Sequence, residues 1–533
     1  MSVYEIKNWS GGISSFSDRG IVGSFKMGRN LDIRKDVDSL TAGQALLEEG
    51  LLSDIYSPSS SISPSASLSP SSSASPSVSF SNSSSASLSP SASASKSASK
   101  SASPSASASP SGSISASPSA SAGMNNLFQD LILFFVKCSD GNTYGFGNQG
   151  YIYRRLSDAF WKIVYKDPNG KIKGAVEKPS NGGKTYLQWA TNNHLMRKEI
   201  SGNQNWTDVT IINSNLTGAD WHTMVQVGGA NMICNGSWLA MVGYDDSYTN
   251  EALNLVPGNI SKTIIERGGR SIIGTFKTGY PTKGINAMID AEYPLSQVGD
   301  DGDIIFANMS DTMPAKKFPK GGSINPNGVT NEVDQAEFFE WEQGALSWID
   351  KQTVGNLSLW GVFGADSTYN GVYSYGRKNK DQPFTMNLEY NLEVDEIGAV
   401  TNIDGTTIMS YRNGSLYGVK AVDPDNKAVA EYESLEFKAP IKKPVNITIW
   451  NTVELFMKAL PSGSSVELWY RFNKTGSFVR AYTAEGSTSF STANGKKAVF
   501  RIVEEGEIYE EKIILRPIGN LSPEIYRSRT YFT

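Results

Sequence analysis

From about residue 124 to residue 430 the chain repeats one pattern: an apolar run, a turn of Gly, Asn or Asp, then a second apolar run. The first unit is the clearest. Residues 131–136 (LILFFV) lead into an Asp140-Gly141 turn, after which Tyr144, Phe146, Tyr151 and Tyr153 fall on alternate positions. Period-two alternation closed by an Asp-Gly pair predicts a β-hairpin. Comparable turns recur near Asn192, at Asn235-Gly236, at Gly269, at Asp301-Gly302, near Leu357 and at Asp404-Gly405. Their average separation of about 44 residues is the period of a four-stranded propeller blade. A β-propeller of six or seven blades over 123–435 is the expectation, with an irregular array of β-sandwiches as its competitor.

The last hundred residues change texture. In residues 465–472 (SVELWYRF), Val466, Leu468 and Tyr470 face one way and Glu467, Trp469 and Arg471 the other. A Pro461-Ser462-Gly463 turn precedes them, a second hairpin is expected about Glu505-Gly506, and residues 523–532 (PEIYRSRTYF) read as a final edge strand. Residues 436–533 therefore predict a small antiparallel β-sandwich. At the other end, residues 1–56 read as short strands around Gly11-Gly12 and Gly20, followed by a helical or irregular connector leading into the propeller.

Residues 57–122 carry no such pattern. Serine takes nearly every second position with Ala or Pro between, and Lys96 and Lys100 are almost the only charges. Such a segment buries too little apolar surface to offset the entropy of ordering it, so disorder or loose polyproline conformation is expected. If its flanks, 21–56 and 124–153, both belong to the first part of the propeller, the tract is a surface insertion; a linker separating an N-terminal anchor from the rest is the competing expectation. The fold class that results is all-β: propeller, small C-terminal sandwich and a long disordered Ser/Ala/Pro-rich insertion.

Composition agrees with this reading. The 11 Trp, 23 Tyr and 22 Phe supply core material, and 50 Gly supply turns. The 48 basic and 53 acidic residues give a net charge of −5, which argues against nucleic-acid or anionic-membrane binding through a general field. Cys138 and Cys234 are too few for a disulfide framework or a zinc site. The opening MSVYEIKNWSGGISS has no signal-peptide pattern, and no apolar run approaches the roughly 20 residues of a membrane span. The triplets at Asn205 and Asn446 are expected by chance in so Asn- and Ser-rich a chain.

Motifs for chemistry are weak. KPSNGGKTY (178–186) contains Gly-Lys-Thr, but Lys178 stands where a phosphate loop needs its first glycine. The same stretch resembles a degenerate Asp-box of sialidase-type propellers, which implies a turn pinning the outer hairpin of a blade. His194 and His222 are the only histidines, and no Gly-x-Ser-x-Gly elbow accompanies them. GDDGD (299–303) and GYDDSY (243–248) do not follow the order of a calcium loop and read as solvated turns. Trp161, Trp206, Trp221, Trp238 and Trp360 suit either sugar stacking or core packing. No catalytic, cofactor or metal residue is nominated, and neither an enzyme activity nor a cofactor is expected.

Two stretches carry a family resemblance: residues 8–19 and 24–46 (NWSGGISSFSDR and SFKMGRNLDIRKDVDSLTAGQAL), and the hairpin ALPSGSSVELWYRFN (459–473). They are similar to virion structural proteins of tailed bacteriophages, tail or connector components in which a β-propeller precedes a C-terminal sandwich. The resemblance implies a non-enzymatic protein of the virion, made in the host cytoplasm, assembling as a homo-oligomeric ring or tube with other virion proteins. A receptor- or surface-glycan-binding propeller is the first alternative, and a propeller glycosidase the second.

Overall fold

The computed structural model describes residues 2–13, 24–33, 38–51, 128–156, 160–201, 205–219, 221–255, the strands between 259 and 364, and residues 367–376, 385–438, 448–474 and 476–533. The expected disorder of 57–122, the Gly269 turn and the GDDGD segment lie outside them.

The apolar runs form antiparallel sheets taken up in chain order, which defines a β-propeller. The first blade is Ile132–Lys137, Thr143–Gly147, Tyr151–Arg155 and Trp161–Lys166. The second is Gly174–Pro179, Thr185–Ala190, Leu195–Glu199 and Thr210–Asn213. The third is Met224–Val227, Ala230–Asn235, Trp238–Val242 and Tyr248–Asn254. The described strands then give a two-stranded sheet (Asn259–Arg267, Arg270–Lys277) and a three-stranded one (Leu295–Val298, Ile304–Ala307, Lys316–Phe318). The sixth sheet is Gly344–Val354, Leu357–Gly364, Gly371–Gly376 and Thr385–Asn391. The first strand of each sheet adjoins the first strand of the next, and the seventh adjoins the first, so the ring closes.

The seventh blade is made from both sides of the Ser-rich tract. Glu396–Ile403, Thr406–Asn413 and Leu416–Lys427 are joined on the outside by Gln44–Glu49, paired antiparallel to Leu416–Lys427. The segment expected as a helical or irregular connector is therefore a strand; pairing with a partner 370 or more residues away overrides its helix-favouring Leu and Glu. Asp404 and Gly405 both have positive φ, 50° and 87°, the geometry of the tight turn that an Asp-Gly pair favours.

Where the tract leaves and rejoins the ring, one side chain gathers both flanks. Trp161, wholly buried, bridges Leu51 through its backbone, and its ring lies 6.4 Å from that of Phe128. The described residues on either side of the Ser-rich segment thus belong to one compact unit.

The sandwich has two sheets. One runs Ser2–Ile6, Ile525–Phe532, Ile449–Met457, Lys497–Glu505, Tyr482–Thr483; the other runs Phe25–Arg29, Ala430–Ser434, Ile508–Arg516, Ser465–Phe472, Val479–Arg480. Three details differ from the sequence reading. Ser2–Ile6 and Phe25–Arg29 complete the sandwich rather than lead directly into the propeller. Ile525–Phe532 is an inner strand, paired on both sides. Glu505-Gly506 is a corner between the two sheets and not a hairpin turn, with Phe472 packed where a Cβ at Gly506 would sit. The alternation in Ser465–Phe472 holds: Val466 and Leu468 enter the core, with Tyr470 packed against it.

Propeller and sandwich share one core. Trp9, Ile13, Phe25 and Tyr432 cluster with Tyr373, Met386 and Leu388 of the sixth blade. Backbone bonds reinforce the seam, from Ile13 N–H to Met386 O at 3.0 Å and from Asn30 N–H to Leu388 O at 3.2 Å. Gly12 has φ of 75°, and a Cβ there would lie 2.7 Å from Thr385 Cβ.

Candidate interaction surface

The residues marked by their sequence context are spent mostly on structure. His222 is buried, Nδ1 at 2.9 Å from Cys234 O and Nε2 at 3.3 Å from Asn192 O, and burial pushes its pKa below the usual histidine value. His194 stands in the turn between the second and third strands of the second blade, where its carbonyl accepts the Thr191 N–H. Cys138 and Cys234 are free thiols in different cores. Asn181–Gly183 is a 3-10 turn on the inner hairpin of the second blade, not on the outer hairpin that an Asp-box pins. Lys178 is buried against Asp246 at 2.8 Å, and Lys184 pairs with Glu199 at 3.2 Å. Asp245 accepts the N–H and hydroxyl of Ser247, while Asp246 pairs with Lys178 and Arg197 of the second blade, so both carboxylates of the GYDDSY turn are engaged. No group of three or more metal-ligating side chains occurs among the described residues.

The tryptophans divide. Trp161 is core, and Trp206 stacks on Tyr165 with centroids 5.9 Å apart. Trp221 lies between the Lys171 ammonium, 4.1 Å from its ring, and Phe134, 6.1 Å away edge-on. Trp238 is partly exposed on the third blade, and the side chain of Trp360 is outside the described residues.

A different feature presents chemistry to solvent: the outer face of the sheet built on Ile525–Phe532. Register sets its side chains in three cross-strand rows. Val3, Tyr531, Thr452, Arg501 and Tyr482 form the first; Glu5, Arg529, Glu454 and Val499 the second; Arg527, Phe456 and Lys497 the third. Period-two alternation produces this, because Trp450, Val453, Leu455, Phe500 and Phe532 take the inward positions. Tyr482 is 55% exposed, Val503 71% and Val3 48%, high values for large apolar groups.

Phe456 is the centre of the third row. Arg527 stands over its ring at 4.3 Å, Arg529 at 5.3 Å and Lys497 at 5.4 Å, within cation–π range. Glu5 takes Lys7 at 2.7 Å and Arg529 at 2.9 Å; the Lys7 ammonium, then Arg529, holds its carboxyl below the usual range. Glu454 accepts Lys497 at 2.5 Å and the Tyr531 hydroxyl at 3.0 Å. With Lys7, five cations meet two carboxylates across these rows. Arginine and tyrosine beside exposed apolar groups are the composition of protein-binding surfaces. Sequence reading missed this face, although the alternation of Arg527, Arg529 and Tyr531 carries its signal; which side of that strand is open depends on the partner sheet.

Beneath the same strand lies an unusual buried group. Glu511 points into the sandwich core with no exposed surface, accepting Tyr509 Oη at 3.1 Å and Thr530 Oγ1 at 3.4 Å, while its Oε1 has no hydrogen-bond partner among the described residues. Burial raises its pKa to about 7, so it holds its proton well above the usual carboxylate range.

No known family's sequence profile matches the chain, and no curated protein does. Solved structures resemble it in fold. A streptogramin B lyase aligns with 55% of this chain and 94% of its own, at 12% identity and a TM-score of 0.35. Virginiamycin B lyase from Staphylococcus aureus aligns over 56% and 97%, at 10% identity and 0.36. The Swd1 β-propeller domain from Myceliophteria thermophila aligns over 56% and 99%, at 10% identity and 0.36. Likeness at this level carries no activity across. The propeller assignment stands on this chain's own sheet order and ring closure.

Proposed function

We propose that this protein is a non-catalytic structural component of a tailed-phage virion, in the tail or head-to-tail connector, acting through protein–protein contact. The observation that supports the reading best is the open sheet face around Phe456: rigid, rich in Arg and Tyr, and carried on a sandwich that shares its core with the propeller. A surface held that firmly transmits force to the whole propeller, and few rotamers need freezing when it docks. The sequence resemblance supplies the virion context.

Mass spectrometry of density-purified virions tests the proposal. The protein is expected at a fixed copy number per particle and is expected to stay bound through high-salt washing. Its presence in lysate but not in banded virions overturns the reading. Binding to anionic glycans on an array, with no particle association, supports the receptor-binding alternative instead.

A further inference from the structure

We infer that the sheet face around Phe456 docks on a second copy of this chain, head to tail, against an acidic end of its propeller. The inference rests on the assembly role proposed above and names the partner of that surface.

Charge selects the occupant. Lys7, Lys497, Arg501, Arg527 and Arg529 against Glu5, Glu454 and Glu505 leave the face at +2, and the rest of a chain whose total is −5 therefore sums to −7. Two such faces meeting across a two-fold axis would stack like charge on like charge, which disfavours a self-complementary dimer. A contact between unlike surfaces of successive copies removes that conflict. Such a contact generates a ring if the rotation closes and a filament if it does not.

The fold supplies an acidic counterpart. Turns that follow the first strands of successive blades lie at one end of the propeller, because those strands run the same way around the axis. Asp140 follows the first strand of the first blade, Glu177 lies near the end of that strand in the second, and Asp404 follows it in the seventh. They are close neighbours: Lys137 reaches Asp404 at 3.0 Å, and Ser139 donates to Glu177 at 2.5 Å. Asp404 pairs with Lys137, while Glu177 bonds Ser139 and Asp140 bonds Asn142 and Tyr144, and the Asp404 side chain is 76% exposed.

Arg501 is the free hand of the basic face. Its neighbours across the strands are Thr452 and Tyr482, and no ion pair with a described residue holds it. Docking gives Arg501 a carboxylate partner, and offers a second one to the partly exposed Lys497, which Glu454 already holds.

Sedimentation velocity on the full chain tests this. The wild type is expected to associate at low salt and to dissociate as salt rises from roughly 0.05 to 0.5 M, where screening shortens the range of surface charges. Arg501→Glu with Lys497→Glu is expected to weaken association about tenfold or more, and Asp140→Lys with Asp404→Lys likewise. Combining both pairs in one chain restores opposite charge and is expected to restore association. Arg501→Ala with Lys497→Ala serves if the reversed face does not fold.

Failure of the combined variant to reassociate, or association unchanged in every variant, overturns the inference. A wild type monomeric at low salt and about 0.1 mM, far above the dissociation constants of stable complexes, also overturns it. If the Arg501/Lys497 variant is then lost from virions, a different virion protein occupies the face and the assembly role survives. If it is retained, the face is no interface and the support for that role falls with it.

Discussion

Glu49 accepts the indole N–H of Trp161 at 2.6 Å and is gripped by the guanidinium of Arg155 on the same blade. The bond joins the outermost strand of the seventh blade to the outermost strand of the first, across the point where the Ser-rich tract is inserted. A buried carboxylate with two donors, one of them cationic, is a strong tie.

Glu49→Ala leaves Arg155 without its partner in a largely buried setting and removes the acceptor of Trp161. A loss of about 3 kcal/mol is expected, the usual scale for breaking one side of a buried pair. Calorimetric unfolding with Glu49→Gln as a milder control measures it. An unchanged melting temperature in the Ala variant would show that the ring does not depend on this closure.

Cleavage inside residues 57–122 should leave both fragments associated. The N-terminal piece contributes Ser2–Ile6 and Phe25–Arg29 to the sandwich and Gln44–Glu49 to the seventh blade, three strands held by register and core. Native size-exclusion chromatography after limited proteolysis checks this, with separate elution without denaturant as the contrary result.

The carboxyl of Glu511 makes the sandwich pH-sensitive. Its folded-state pKa of about 7 exceeds the ordinary value, so the folded state holds a proton that the unfolded chain releases earlier. That contribution to stability is complete below about pH 4.5 and is lost as pH rises through about 7. Glu511→Gln removes the dependence and is expected to stabilise the protein at pH 8 by on the order of 3 kcal/mol, from 1.36 kcal/mol per pKa unit. Thermal unfolding of the two proteins across pH 4–9 reads the effect; parallel curves would refute it.

Gly12→Ala attacks the seam between sandwich and propeller. Positive φ and the nearness of Thr385 Cβ and Met386 O combine there, and a destabilisation of about 2 kcal/mol or more is expected. Denaturant unfolding measures it. A second transition appearing in the variant would locate the damage at the seam.

Local pattern alone was enough for the first propeller strands though not for Gln44–Glu49, for the Asp-Gly corners at Gly141 and Gly405, and for the split of Val466 and Leu468 from Glu467 and Trp469. Side-chain alternation and positive φ are properties of a few adjacent residues, and they are written in adjacent letters. The strand partners were a matter for the tertiary structure. Ser2–Ile6 beside Ile525–Phe532, Gln44–Glu49 beside Leu416–Lys427 and the meeting of Leu51 and Phe128 on Trp161 all join residues remote in sequence. No short-range signal encodes such pairings, because their energy comes from burial and hydrogen bonds formed only when distant segments meet. The basic face follows the same rule: Arg527 and Arg529 alternate visibly, but only the second sheet, by covering the opposite side, turns them outward over Phe456.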